Sequence, residues 1–284
     1  MTDGSRSHGV REAFTPGWRG GIDGPLVSLC LASTAIVVVA GLVQVSFGSY
    51  DTTFGEAWRA VLDPTVLLDP RWLLNFLLGE ELMRSITGFR GKLPELATTT
   101  LIVWNIRLPR VLVGAFVGMN LAVSGAIFQA ITRNELASPF ILGVSSGAGL
   151  AILLTLVVFS GLATLLPLIA AVGGAAAFLL VYAIAWQNGT SPVRLVLAGV
   201  IVGTAFNSLQ TALFFFAPNV GVVQSAIAWT TGSLTGVDWE QIRMVLPWTV
   251  VAMLLALVSS RQLNVLLLGE RTAKSLGMSV EKVR

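Results

Sequence analysis

Six runs of the chain, about 26–47, 110–131, 144–160, 163–186, 194–217 and 241–260, are apolar over nearly the whole length that a bilayer-crossing helix needs. That length is ~20 residues at a rise of 1.5 Å each. Nothing else in the sequence constrains the fold as strongly, because backbone placed in hydrocarbon must satisfy its own hydrogen bonds, as a helix does. Only 12% of the 284 residues are charged and 54% are hydrophobic, whereas soluble domains carry about 25% charged residues. The expected fold class is therefore all-α, a polytopic transmembrane helical bundle with about six spans. The run 144–160 is short, and Pro167 with the pair Gly173 and Gly174 interrupts 163–186. Such breaks are tolerated where neighbouring helices satisfy the backbone.

The first run is too long for a signal-peptide core and has no clear small-residue cleavage site behind it, so it reads as a retained helix. The chain then divides into a tail (1–25), a first transmembrane helix (26–47), a long loop (48–106), a five-span bundle (107–260) and a terminal segment (261–284). In the loop, Thr53 three residues before Glu56 forms a capping-box pattern that stops at Asp63 and Pro64. A second helix has Asp69 as N-cap, Pro70 at its first position and Gly88 as its stop. Arg71, Glu80, Glu81 and Arg84 are too many charges for a spanning helix at ~2.5 to 3.5 kcal/mol for a basic or aspartate side chain. Two helices lying on the membrane surface, or a small packed subdomain, are both compatible with this loop.

Charge sets the orientation. With the N-terminus inside, the inner segments carry Arg6, Arg11, Arg19, Arg133, Arg194, Arg261, Arg271, Lys274, Lys282 and Arg284. The outer connections near 161 and 218–240 carry no lysine or arginine. That is the positive-inside pattern, and the expected location is a cell membrane, multi-pass, with a cytoplasmic tail and an extracytoplasmic long loop. The net charge of +3 comes without a basic stripe interleaved with aromatics, so membrane lipid and no nucleic acid is the expected contact. Cys30 is the only cysteine and His8 the only histidine. A thiol metal cluster and histidine-dependent catalysis are thereby excluded, and neither a metal site, a cofactor nor an enzymatic activity is expected.

Two of the apolar runs carry polar faces. In 110–131, Gly114, Gly118, Ala122, Ala126 and Ala130 recur every fourth residue and make a ridge for close helix contact. Asn120 and Ser124 lie nearly opposite, where they either hydrogen-bond a neighbouring helix or line a solute path. In 194–217, Thr204, Asn207, Ser208 and Thr211 follow the i, i+3, i+4, i+7 rule. Four polar groups on one stripe are too costly to leave against hydrocarbon, so they face a path or a polar helix seam. Between the second and third runs, Asn134, Pro139, Gly143 and Gly147 mark a short broken lead-in, read as a gate or hinge or as a tight connection. The terminal segment "LNVLLLGERTAKSLGMSVEKVR" is basic and amphipathic, with a short helix over 270–276 ended by Gly277. No G-x-x-x-x-G-K-[ST] phosphate loop is present, and no ionisable residue sits near the middle of a span. Any nucleotide hydrolysis would therefore belong to another chain, and an ion-driven carrier is disfavoured.

Together these pieces resemble one family. "RLPR" (107–110), "SGAIFQ" (124–129), "RNELASPFILGVSSGAG" (133–149), "LVLAGVIVG" (195–203), "WTTGSLTGVDW" (229–239) and "LGERTAKSLGM" (268–278) are similar to the FecCD-type membrane permeases of ABC importers for iron-siderophores, haem and cobalamin. The resemblance implies two permease copies, cytosolic ATP-binding subunits and an extracytoplasmic solute-binding protein. It implies docking of the binding protein on Arg107 and Arg110, and coupling to the ATPase through Gly269, Glu270, Ala273, Leu276 and Gly277. It further implies a path along the helix of Thr204 to Thr211. Glu135 stands where the family usually has proline. The family has about ten spans, and a permease truncated at its C-terminus is the expectation. The alternatives are a truncated non-transporting remnant and an ATPase-independent secondary transporter or channel.

Overall fold

A computed structural model describes residues 24–48, 50–89, 91, 93–187 and 189–280. The tail up to residue 23 and the last residues 281–284 lie outside the described residues. Every regular element described is helical, in keeping with an all-α bundle. The chain divides into two compact units, Met1–Gln44 and Val45–Arg284. The first unit holds nearly all of α1 (Gly24–Ser46), whose mean hydropathy of 2.5 matches the expected first span.

The second unit begins with short helices: α2 (Phe54–Val61), α3 (Pro64–Leu67), α4 (Pro70–Leu78), α5 (Glu80–Thr87) and α6 (Thr98–Ile102). The capping box of α2 forms as its sequence dictates, with the Thr53 amide donating to Glu56 Oε2 at 2.9 Å and the Glu56 amide to Thr53 Oγ1 at 3.4 Å. These hydrogen bonds hold the Glu56 carboxyl below its ordinary pKa. Asp69 caps α4 through the Arg71 amide at 3.0 Å and pairs with the Arg71 guanidinium at 2.7 Å. The helix expected to run unbroken to Gly88 is divided at Gly79, whose φ of 89° lies in a region that glycine alone enters at low cost. Ala57, Ala60, Val66, Phe76 and Met83 turn inward from these helices and are buried. The loop is thus a packed layer rather than a pair of free surface helices.

A π-helical turn, Val103–Arg107, joins α6 to α7 (Leu108–Thr132), giving a continuous helix of 35 residues. Then follow a 3₁₀ turn, Pro139–Leu142, and α8 (Val144–Val158), a second 3₁₀ turn, Ser160–Leu165, and α9 (Leu166–Ala185). The chain continues through α10 (Pro192–Phe214), α11 (Val220–Thr231), α12 (Trp239–Leu267) and α13 (Glu270–Ser275). Among the described residues, five helices are long and apolar enough to cross a membrane, and α8 is a shorter apolar helix, so the six expected runs are all helical. The chain is a multi-pass membrane protein. The twelve-residue helix α11 lies in a stretch read as a loop.

Packing divides the bundle. Helices α8 and α9 meet through glycines: a Cβ on Gly147 would overlap Ala177 Cβ and sit 2.8 Å from Gly173 O, and one on Gly173 would sit 2.8 Å from Gly147 O. Only hydrogen side chains allow the backbones this approach. Helix α10 adds Leu195, Ala198 and Val202 to a cluster with Val181 and Ala185 of α9. Helices α7 and α12 run side by side in the same direction: Arg110 reaches Leu234 O just ahead of α12, Asn120 bonds Thr249 within it, and Arg133 pairs with Glu270 of α13 just beyond it.

Candidate translocation path and coupling surface

At the start of α7, the π turn carries Trp104 and Arg107 inward. Trp104, Phe76 and Trp239 stack with centroid separations of 5.2 to 6.4 Å, and Trp72 stacks on Phe76 at 5.4 Å. The Trp104 indole donates to Ala60 O at 2.9 Å and the Trp239 indole to Trp104 O at 2.6 Å. The indole polar groups of both rings are thereby satisfied in an apolar cluster.

Arg107 is only 5% exposed. Its Nη1 donates to Val45 O at 3.0 Å, Ser46 O at 3.2 Å and Thr52 Oγ1 at 2.7 Å, and its Nη2 to Tyr50 O at 2.7 Å. The guanidinium is consumed by the 45–52 turn and is not offered to a partner. This departs from the docking role expected of it, and the reason is that a cation so placed is stable only when carbonyls surround it. Gly48 belongs to the same lock, since a Cβ there would lie 2.9 Å from Arg107 Nε. Arg110, by contrast, is only partly buried, with its Nε donating to Leu234 O at 3.1 Å.

Midway along α7, Asn120 Nδ2 donates to Thr249 Oγ1 of α12 at 2.7 Å and to Phe116 O at 2.9 Å. Thr249 is buried and its own hydroxyl donates a hydrogen bond to Val245 O at 3.1 Å. Of the two roles open to Asn120, the one realised inside this chain is the helix-to-helix bond. Ser124 is turned to Leu121 O at 3.0 Å. Beside this seam are two cavities. One of about 660 Å³ is lined by Asn120, Ser124 and Ser259 among apolar neighbours. The other, of about 730 Å³, reaches Gln129, Arg133 and Asn134.

Helix α10 is two-sided. Its buried face ends in Gln210, 8% exposed, whose Nε2 donates to Ser146 O at 2.9 Å and Asn207 Oδ1 at 3.3 Å. The stripe Thr204, Asn207, Ser208 and Thr211 is exposed. Its hydroxyls turn back on the helix, Thr204 to Val200 O at 2.8 Å, Ser208 to Thr204 O at 3.0 Å and Thr211 to Asn207 O at 3.0 Å. The stripe makes no seam within this chain.

The lead-in to α8 is a chain of local caps. Asn134 Oδ1 accepts from the Leu136 amide at 3.0 Å, Gln129 Nε2 donates to Glu135 O at 2.7 Å, and Ser138 Oγ accepts from Phe140 N at 3.4 Å ahead of Pro139. Gly143, at φ 73°, then turns the chain into α8. The turn is wedged against α10, where a Cβ on Gly199 would fall on Ile141 O and Leu142 Cα.

At the far end of α12, Gly269 with φ 106° starts α13 and Gly277 with φ 79° ends it. The Met278 amide bonds to Ala273 O and the Gly277 amide to Lys274 O, both at 3.0 Å, a Schellman closure. Ala273 is fully buried with Leu266 and Val280, and Ile131 of α7 packs on them. Glu270 pairs with Arg133, and Leu276 is exposed. The residues expected at this segment thus form one unit. The sequence does not mark Arg133, Ile131, Thr249 and Gln210 as partners, because each acts across a separation that no local pattern reveals. The charge of Arg133 beside the inner loop was the only signal.

The sequence matches the FecCD transport family over residues 36–284. Similar curated proteins include the iron(3+)-hydroxamate import system permease protein FhuG of Bacillus subtilis, 37% identical over 66% of this chain and 58% of the relative. The ferric enterobactin transport system permease protein FepG of Escherichia coli is 35% identical over 72% of this chain and 61% of the relative. The cobalamin import system permease protein BtuC of Halobacterium salinarum is 38% identical over 66% of this chain and 50% of the relative. The chain therefore spans 50 to 61% of the length of these relatives. A metal-chelate type ABC transporter in an inward-facing conformation shares the fold, with a TM-score of 0.66 at 24% identity, covering 90% of this chain and 70% of that one. With the family matched over most of the sequence and its fold present in the helices, the chain belongs to the FecCD transport family.

Proposed function

We propose that the chain acts as a permease subunit of an ATP-driven importer that carries a metal chelate, such as an iron-siderophore, across the cell membrane. The observation that carries this reading is the exposed stripe Thr204, Asn207, Ser208 and Thr211 on a helix of membrane-crossing length. Its hydroxyl donors are closed on the helix's own carbonyls, which leaves oxygen acceptors facing outward for water or a polar solute. A second permease copy facing the stripe would enclose a path between the two. The tail and the α13 segment are cytoplasmic and the 48–106 layer extracytoplasmic, in line with the distribution of lysine and arginine. Arg110 offers the cation for an extracytoplasmic binding protein, while Arg107 shapes the turn beneath it. The α13 segment receives the cytosolic ATP-binding subunit, and 134–147 forms the gate between coupling segment and path.

Thiol labelling tests the path. Cys30 is the only cysteine, so in a Cys30→Ala background Thr204→Cys, Ser208→Cys and Thr211→Cys are each treated with a membrane-impermeant maleimide in native membranes. All three are expected to react, and Val202→Cys, on the buried face of the same helix that packs against α9, to resist. Equal protection of all four sites would overturn the reading.

A further inference from the structure

The structure assigns to Arg133 a role that links α13 to the end of α7: we infer that this side chain is the strut through which displacement of α13 reaches the transmembrane bundle. The inference rests on the reading above, in which α13 is where the ATP-binding subunit acts.

Arg133 closes α7 with φ 51° and ψ 41° and is the only non-glycine residue with positive φ among the described residues. Helices commonly place glycine or asparagine in such a conformation, which costs other residues roughly 1–2 kcal/mol. An arginine at this position therefore needs a use for its side chain. Its Nη2 lies 3.4 Å from Glu270 Oε1, and its Nη1 would stand 3.7 Å from a Cβ on Gly269. One guanidinium thus pairs with the first residue of α13 and lies beside the glycine that starts it. On the other side, the Asn134 amide bonds to Gln129 O at 3.2 Å and Gln129 Nε2 to Glu135 O at 2.7 Å. These bonds fix the turn that follows Arg133 to the last turn of α7, and that turn runs on to Gly143. A parallel apolar contact, Ile131 against Leu266, Ala273 and Val280, keeps the two segments at a set separation. The apolar contact resists compression, and the ion pair gives direction. Glu270 is therefore a contact within the chain, facing α7, and not chiefly a contact for the partner.

Both side chains are about a third exposed, at 37% and 34%. A pair so placed contributes little to folding, so variants at either site fold, and an effect on transmission is readable by itself. The charge reversals Arg133→Glu and Glu270→Arg, singly and together, are made in the full chain carrying Cys30→Ala and Ser208→Cys. Retention of the ATP-binding subunit is measured by co-purification, and the ATP-dependent change in maleimide labelling of residue 208 is measured in proteoliposomes.

Arg133→Glu, which lies outside α13, is expected to keep the ATP-binding subunit, and each single reversal to reduce the ATP-dependent change by about five-fold or more, the lower end of an ordinary coupling between sites. The double reversal is expected to restore it, and Arg133→Lys to retain most of it. Undiminished ATP-dependent labelling in both single variants would sink the inference while leaving the proposed function in place. So would failure of the double reversal to restore it while Arg133→Lys remains impaired. Failure of the unaltered chain to retain an ATP-binding subunit overturns the proposed function, and the strut with it.

Discussion

Helices α8, α9 and α10 and the pair α7 and α12 are all apolar, yet they are joined differently. Helices α8 and α9 approach backbone to backbone through Gly147 and Gly173, and α10 approaches the turn leading into α8 through Gly199, with no room for even a methyl group. Helices α7 and α12 meet through an apolar cluster at one end, where Val113 packs with Trp239 and Ile242, and through the Asn120 to Thr249 bond midway, with cavities of about 660 and 730 Å³ beside the seam. Positions Gly118 and Gly125 of α7 have nothing within 4 Å of a built Cβ. Close packing makes a block that resists internal rearrangement, whereas a seam with cavities along it has room to change shape. The first group is suited to moving as one piece, and the second to changing its shape and receiving other helices.

The largest expected effect comes from forcing the tight group apart. Gly147→Val and Gly199→Val place a branched side chain against backbone, and overpacking costs about 1–3 kcal/mol and occasionally more. Thermal unfolding of the detergent-solubilised protein should show both with a clearly lowered midpoint, and an unchanged midpoint would dissolve the contrast. Next, Asn120→Leu removes the α7–α12 bond and leaves Thr249 its contact with Val245 O. Interhelical hydrogen bonds in membranes average about 0.6 kcal/mol and reach about 1.7, so a small but measurable loss is expected in the same assay. Gly118→Ala should act in the other direction. Its site is open, and replacing glycine by alanine in a helix interior gains about 0.5–1 kcal/mol. A loss there would mean that this face of α7 is occupied.

The smallest effect concerns the extension of α7 through α6. Asp63 accepts from the Thr65 amide at 2.9 Å, from Thr65 Oγ1 at 2.6 Å and from Thr100 Oγ1 of α6 at 2.8 Å. These hydrogen bonds, the Thr65 hydroxyl foremost, hold its carboxyl below the ordinary aspartate pKa against the opposing effect of burial. A carboxyl whose folded pKa is depressed stabilises the fold fully above its unfolded value and loses that contribution as pH falls through the folded one. Acidification below about pH 4 should therefore loosen α3 from α6, read by tryptophan emission from Trp104. Asp63→Asn should abolish the Asp63 share of that pH response.

Hydropathy alone made the six spans legible, because span length and apolarity are local properties. Caps were equally plain: Thr53 with Glu56, Asp69 with Pro70, and Gly88 all act within four residues of themselves. The break at Gly79 was not legible, since a glycine inside an amphipathic stretch carries no sign of its φ. Helix α11 escaped because its twelve residues fall short of a span and its cap, Asn219, stands alone. The site was less legible than the fold. Gly269, Ala273 and Gly277 form the compact segment expected of them, whereas Arg107 reads as a surface cation until the carbonyls of residues 45, 46 and 50, far back in the chain, are brought around it. Thr249 lies 129 residues from Asn120, and no periodicity in either helix announces the pairing.

The stacked rings of Trp104 and Trp239, 6.4 Å apart and inclined by 16°, have an optical consequence. Two indoles at that separation share their electronic excitation, so their near-ultraviolet circular dichroism depends steeply on separation and tilt. One ring rides at the head of α7 and the other at the head of α12. Nature has thus placed an unlabelled ruler across that seam, and a shift of the two helices past each other writes itself into the spectrum of the unmodified protein.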